Sequence, residues 1–200
     1  MRVSETSLPG VKLLAPVQHR DHRGIFCEVY NRRTLAAAGI VTEFVQDNMS
    51  HSAAAGTIRG FHFQIPPFAQ AKLVYVARGS VFDVVVDLRR GSPTYGRHFA
   101  AVLSAAGWEQ IFVPVGVAHA VCTLEPDTLV VYKVSAHYAP EHDRGLLWSD
   151  PALGIAWPVA LERAIVSEKD SRHPRLAELP DYFVYEGPAA APTAPSGRAP

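Results

Sequence analysis

The chain is poor in sulfur, in charge of one sign and in long apolar runs, and each shortage removes a class of protein. Its two cysteines, Cys27 and Cys122, are isolated thiols, which excludes a disulfide-stapled secreted scaffold. No apolar run approaches the ~20 residues of a membrane span and no signal-peptide h-region is present, so a reducing cytoplasm is the expected setting. The 19 basic and 19 acidic side chains cancel to a formal net charge of zero. No overall field therefore favours nucleic acid or an anionic membrane, and any anionic ligand must be held by a local basic pocket. No internal repeat is visible and no charge block divides the chain.

What is present is enough for one compact domain. Two hundred residues that are 48% apolar can build a full core without the disulfides or metals that smaller chains need. The last stretch, Gly187 to Pro200, is almost entirely Gly, Ala, Pro, Ser and Thr. It offers too little bulky apolar surface to offset the entropy of ordering, so it is expected to be a disordered tail behind a domain of residues 1–186. From Gln70 onward, short β-branched or aromatic runs alternate with breakers: Lys72–Ala77, Val81–Leu88, His98–Leu103, Gln110–Val113, Ala118–Leu124 and Thr128–Ser135. Strands at that spacing predict an all-β sandwich or barrel. Gly79 sits where a hairpin needs positive φ, and Gly91-Ser92-Pro93 breaks the chain before the next strand. Asp83 and Asp87 share one face of their strand, which is less purely apolar than the other. Helix is expected at Arg32–Ala38, with short turns at Pro158–Arg163 or Pro174–Glu178.

Chemistry concentrates in a few places. In Arg59-Gly60-Phe61-His62-Phe63-Gln64, Phe61 and Phe63 point away from the face that carries His62, Gly60 and Gln64. A cupin-type metal-binding jelly roll presents a His-x-His pair on one strand plus a later histidine, because alternate residues face the same side. Here the pair is missing, and His62 is joined by His119 in the turn-then-strand segment Pro114 to His119. Two facing imidazoles without a metal are available as bases or donors, and an unperturbed pKa of ~6.5 suits proton transfer at neutral pH. The duller reading of each is a core histidine that satisfies a partner. Arg59 beside an aromatic strand is costly to bury without an anion and reads as a phosphate contact. Lys72 alternates with Val74 and Val76, so its ammonium either enters the barrel with them or snorkels to solvent. Tyr132 shares a face with Val130, opposite Lys133, as packing or as an acid. Ser167-Glu168-Lys169-Asp170 defaults to a solvated loop, but a histidine base needs an orienting carboxylate and a phosphate needs a lysine.

Taken together, these segments resemble the dTDP-4-dehydrorhamnose 3,5-epimerase family of metal-independent cupins, over about Leu8 to Phe183. The resemblance rests on Asp21-His22-Arg23-Gly24-Ile25-Phe26 with Glu28, Gln46-Asp47-Asn48, Arg59-Gly60-Phe61-His62, Val86-Asp87-Leu88-Arg89 with Ser92-Pro93-Thr94, Pro114 to His119, Tyr132-Lys133, and Leu147-Trp148-Ser149-Asp150-Pro151. It implies a jelly roll and an epimerase acting on a dTDP-4-keto-6-deoxyhexose, without cofactor or metal. By the same resemblance His62 is the general base, paired with Asp170, and Tyr132 is the acid on the opposite face of the sugar. Lys72 and His119 stabilise the enolate oxygen, Arg59 and Lys169 hold the pyrophosphate, Gln46 and Asn48 contact the nucleotide, and Tyr138 stacks on its base. It further implies a homodimer in which Arg23, Phe26 and Glu28 complete the neighbour's site. Asp143 stands where the family commonly has Glu, Phe63 for Tyr, Ser149 for Asn and Ala55 for Lys. The alternatives are an epimerase acting at C3 or C5 alone, a metal-dependent cupin, or a sugar-nucleotide binder without catalysis.

Overall fold

A computed structural model describes residues 1–187; apart from Gly187, the expected tail lies outside the described residues. The first strands are β1 (Arg2–Glu5), β2 (Lys12–Ala15), β3 (Gln18–Asp21), β4 (Gly24–Cys27), β5 (Gln46–Ser52) and β6 (Ile58–Gln64). There follow β7 (Lys72–Arg78), β8 (Ser80–Asp87), β9 (Arg89–Arg90), β10 (His98–Ser104), β11 (Gln110–Val113), β12 (Val117–Thr123) and β13 (Thr128–Val134). Two short ones, β14 (Asp143–Gly145) and β15 (Phe183–Val184), come last. The β7–β8 turn has Gly79 at φ +78°, as a tight hairpin requires.

Two antiparallel sheets face each other in a jelly roll. One has six strands in the order β1-β2-β11-β7-β13-β5, the other five in the order β10-β8-β12-β6-β14. Between them lies an apolar layer that includes Val74, Val76, Val81, Val85, Ile111, Val113, Val117, Val121 and Val130. These are the inward residues of alternating strands, so burying them on one side defines the register of each pair. A second layer backs the five-stranded sheet, where Phe61, Phe63, Val84, Val86, Ala118 and Ala120 meet Trp148, Leu153 and Phe183 from the C-terminal segment. Phe61 is fully buried, a burial that contributes about 1.5–3 kcal/mol. A third covers the outside of the six-stranded sheet, with Leu14, Leu73 and Phe112 against Leu35 of helix α1 (Arg32–Ala37). That helix starts where Asn31 accepts from the N–H groups of Arg33 and Thr34, a cap worth about 1 kcal/mol.

The inward layer is interrupted by polar side chains at the positions that alternate with its valines. Lys72 precedes Val74, Asp83 lies between Val81 and Val85, His119 between Val117 and Val121, and Tyr132 follows Val130. Lys72 is buried, so of its two expected orientations the inward one is adopted. Asp87, on the same face as Asp83, is taken up by structure: it accepts from Arg89, Ser92 and Thr94 and pins the chain after β8.

Candidate active site

Strict alternation would put Gly60 on the face of His62, but the strand departs from it. The β6–β12 register pairs His119 with His62 and then Val121 with Arg59, a shift across Gly60. This bulge brings Arg59 to the same side as His62, and both line the cavity between the sheets. Only glycine fits at the bulge. Gly60 has φ +128°, and a Cβ there would stand 2.6 Å from the Ala120 Cβ and 2.7 Å from the His119 carbonyl. Arg59 is exposed at the cavity rather than buried, and it donates to Ser52 Oγ (3.0 Å) and to the His51 carbonyl (2.9 Å).

The segment expected as a solvated loop is the single-turn helix α2 (Glu168–Ser171), which begins where Ser167 Oγ accepts from the Asp170 N–H. It delivers Asp170 into the interior, 4% exposed. His62 Nε2 donates to Asp170 Oδ1 at 2.8 Å, and the Gly60 N–H donates to Oδ2 at 3.1 Å. The proton on Nε2 leaves the other ring nitrogen of His62 as the acceptor. Burial opposes ionisation of Asp170, yet the neighbouring rings of His173 and His62 and the Gly60 N–H outweigh it and hold the carboxyl far below the usual range.

Sequence spacing missed two groups. Asp83 accepts from His119 Nε2 at 2.8 Å and is itself fully buried; its place in a valine strand marked the face but not the partner. His173 follows Asp170 by three residues, a spacing that puts both on one face of a helical turn. Its Nε2 is 3.5 Å from Asp170 Oδ1 and its ring meets that of His62 edge-on, with centroids 6.0 Å apart. Nε2 of His62, Nε2 of His173 and a carboxylate oxygen of Asp170 are near enough to one another to serve as metal ligands. They form the one such cluster among the described residues. His62 and His119, paired across β6 and β12, turn instead to separate carboxylates.

The main cavity is about 510 Å³ and is lined by Arg59, His62, Lys72, His119, Tyr132, Lys169 and Asp170 among others. A smaller one of about 130 Å³ shares His62, Lys72 and Tyr132 and adds Gln46, Asn48, Tyr138 and Asp143. His62 and Tyr132 come from opposite sheets. The fold thus places a paired imidazole and a phenol on two walls of one space. Burial brings Lys72 down to about 8, partly offset by Asp143 and Asp83, and its ammonium donates to the His62 carbonyl at 3.2 Å. Tyr132 is pushed up, first by burial, with Arg59 opposing and Asp143 reinforcing, so it is a protonated donor at neutral pH. Asp143 accepts from Lys169 and from the Tyr138 hydroxyl, while Gln46 donates to Asn48 and accepts from the Tyr138 N–H. Arg23 and Phe26 lie elsewhere, on the exposed β3–β4 hairpin, and Glu28 just after it accepts from Asn31 and Thr34. None of the three lines these cavities.

The family model for dTDP-4-dehydrorhamnose 3,5-epimerase matches residues 5–178. A protein of that name from Sinorhizobium fredii is 50% identical over 189 residues, covering 92% of this chain and 94% of its own length. The crystal structure of the Bacillus anthracis dTDP-4-dehydrorhamnose 3,5-epimerase with TDP and PPi bound is 48% identical, with a TM-score of 0.84 over 87% of this chain and 98% of that one. A Legionella pneumophila dTDP-6-deoxy-D-glucose-3,5-epimerase in complex with dTDP-4-keto-L-rhamnose is 35% identical, with a TM-score of 0.87 over 93% of this chain and 99% of that one. With half its residues shared over nearly full length and the strand framework superposed, the chain belongs to the dTDP-4-dehydrorhamnose 3,5-epimerase family.

Proposed function

We propose that this protein inverts C3 and C5 of a dTDP-4-keto-6-deoxyhexose, the epimerisation step of dTDP-L-rhamnose formation. The observation that carries the reading is the placement of His62, backed by Asp170, on one sheet and Tyr132 on the other, across a single cavity. A C4 ketone acidifies the hydrogens on C3 and C5, because the carbanion delocalises into an enolate that pre-aimed donors can stabilise. His62 removes the proton, the Asp170 carboxylate favours the resulting imidazolium, and Tyr132 returns a proton from the opposite face, which inverts the carbon. Lys72 and His119 face the developing oxyanion. Arg59 and Lys169 supply the charge for the pyrophosphate, and Gln46, Asn48 and Tyr138, with Asp143 holding Lys169 and Tyr138, form the nucleotide end.

Two further elements complete the reading. The β3–β4 hairpin, with Phe26 72% exposed, reaches a second copy of the chain, where Arg23, Phe26 and Glu28 close the nucleotide site of a homodimer. The enzyme works in the cytoplasm, a setting in keeping with its two free thiols.

The test is incubation with the keto sugar nucleotide in heavy water. Deuterium should enter at both C3 and C5, and His62→Ala should abolish uptake while dTDP still binds. Uptake at one carbon alone makes the protein a mono-epimerase, and unchanged uptake in His62→Ala removes His62 from the mechanism.

A further inference from the structure

His173, largely but not fully buried, helps to hold Asp170 ionised and touches no reacting atom in the proposed reaction. Its side chain is 10% exposed, and its Nε2 is buried without a hydrogen-bond partner. It packs against Gly145 so closely that a Cβ at that position would fall 2.2 Å from the ring. A buried nitrogen left unpaired costs about 1–3 kcal/mol, and a bound ion is one kind of partner that accounts for such a group. What it faces is Asp170 Oδ1 at 3.5 Å, the same oxygen that His62 Nε2 reaches at 2.8 Å.

We infer that His62, Asp170 and His173 form a binding site for a divalent transition-metal cation of the zinc class, and that filling it takes the base of the reaction out of use. Two imidazoles and one carboxylate are a donor set that suits such ions. The three ligand atoms lie within 4.8 Å of one another. Tetrahedral zinc, with bonds of about 2.0–2.1 Å, needs its ligands about 3.3 Å apart. The two carboxylate–imidazole distances of 2.8 and 3.5 Å are near that spacing, and the widest pair must close from at most 4.8 Å. The Gly60 N–H already orients the second carboxylate oxygen, the kind of outer contact that aims a metal ligand. His62 and Asp170 both line the cavity, so the site lies at its wall. Lys72, Arg59 and Lys169 line the same space and oppose a dication. The site therefore binds reversibly, weaker than a closed structural zinc centre, and competes with the proton that His62 carries on Nε2.

The test uses chelator-stripped, full-length protein and zinc itself, read by competition with a chromophoric chelator. Wild type should take up one zinc per chain. His173→Leu and, independently, His62→Asn should each bind at least about tenfold more weakly, the low end of what loss of even an outer partner costs. Zinc should also slow deuterium uptake in the wild type, reversibly on adding EDTA, and slow His173→Leu far less relative to its own metal-free rate. Wild type that takes up no zinc, or a His173→Leu protein that folds and binds it equally well, overturns the site. The chelator competition does not depend on the reaction, so the site can fail while the epimerase reading stands. Conversely, stripped protein that is inactive until zinc is restored would overturn the base role of His62 and the inhibitory effect together.

Discussion

Two histidine–carboxylate pairs stand on neighbouring strands of one sheet, chemically alike and differently built. His62 bonds Asp170 and His119 bonds Asp83, both at 2.8 Å. The His119 pair is sealed: side-chain exposure is 10% and 0%, and both residues belong to adjacent strands of the sheet. The His62 pair is open on the imidazole side, at 35% and 5%, and its carboxylate arrives on a helical turn 108 residues later. In the proposed reaction, equal geometry with unequal access separates the tasks. A base must reach carbon-bound hydrogens over the ring, while a donor to an oxyanion needs to point in one direction and stay there. With Nε2 given to Asp83, His119 can donate from its other nitrogen only as an imidazolium, the form a carboxylate partner favours. The open pair suits the first task and the sealed pair the second.

Removing one histidine and then the other tests this difference between the pairs most directly. His62→Asn should lower turnover by about 10³-fold or more, within the range of a general base, with dTDP affinity measured by calorimetry unchanged. His119→Ala should cost about 10²-fold, the effect of one oxyanion donor, with deuterium uptake slowed but still detectable at the carbons. If the two losses came out in reverse order, the assignment of tasks by access would be wrong.

The partners sharpen the same point. Asp83 is fully buried with one carboxylate oxygen unpartnered, and its removal leaves His119 without its acceptor. Asp83→Ala should therefore cost about 3 kcal/mol of stability, as expected when one member of a buried pair is deleted, or roughly 6–12 °C in melting temperature for a domain of this size. Asp170→Asn should instead lose at least about 10²-fold in rate, and up to about 10⁴-fold, because the amide neither favours the imidazolium nor holds the ring in the right tautomer. A larger rate loss in Asp83→Ala, with melting unchanged, would make the sealed pair the catalytic one.

Access of this kind is the part of the site that a linear sequence hides. The strands from Lys72 to Val134 were legible because their inward residues are apolar and their turns carry glycine, and the observed ends fall within a few residues of those expected. Strand β5 was not, because Gln46–Ser52 is an edge strand of polar residues with alternate positions in solvent. No hydrophobic period marks it. The residues brought together around His62 and Tyr132 were nameable from their motifs. The contact of Asp83 with His119, however, depends on the register of β8 against β12, and the approach of His173 depends on where a four-residue helix docks. Neither register nor docking has a local signature, and the bulge at Gly60 that brings Arg59 beside His62 broke the alternation on which face assignments rest.

The smallest effect expected comes from Lys72, which lies between the two pairs: its ammonium donates to the His62 carbonyl, and Asp83 of the sealed pair is one of the charges that keep it protonated. Burial lowers it to about 8, so it is a cation at neutral pH and loses its charge as the pH rises through that value. If the cation stabilises the enolate, the rate at saturating substrate should fall several-fold between about pH 7 and 9, the change that a full titration across a pKa near 8 produces. Tyr132, pushed up by burial, titrates at higher pH and leaves this limb to the lysine. Lys72→Met should be slower at pH 7 and flat across the same interval. A limb that persists at pH 8 in that variant would belong to another group, and the oxyanion would then be held by the sealed pair without help from the lysine.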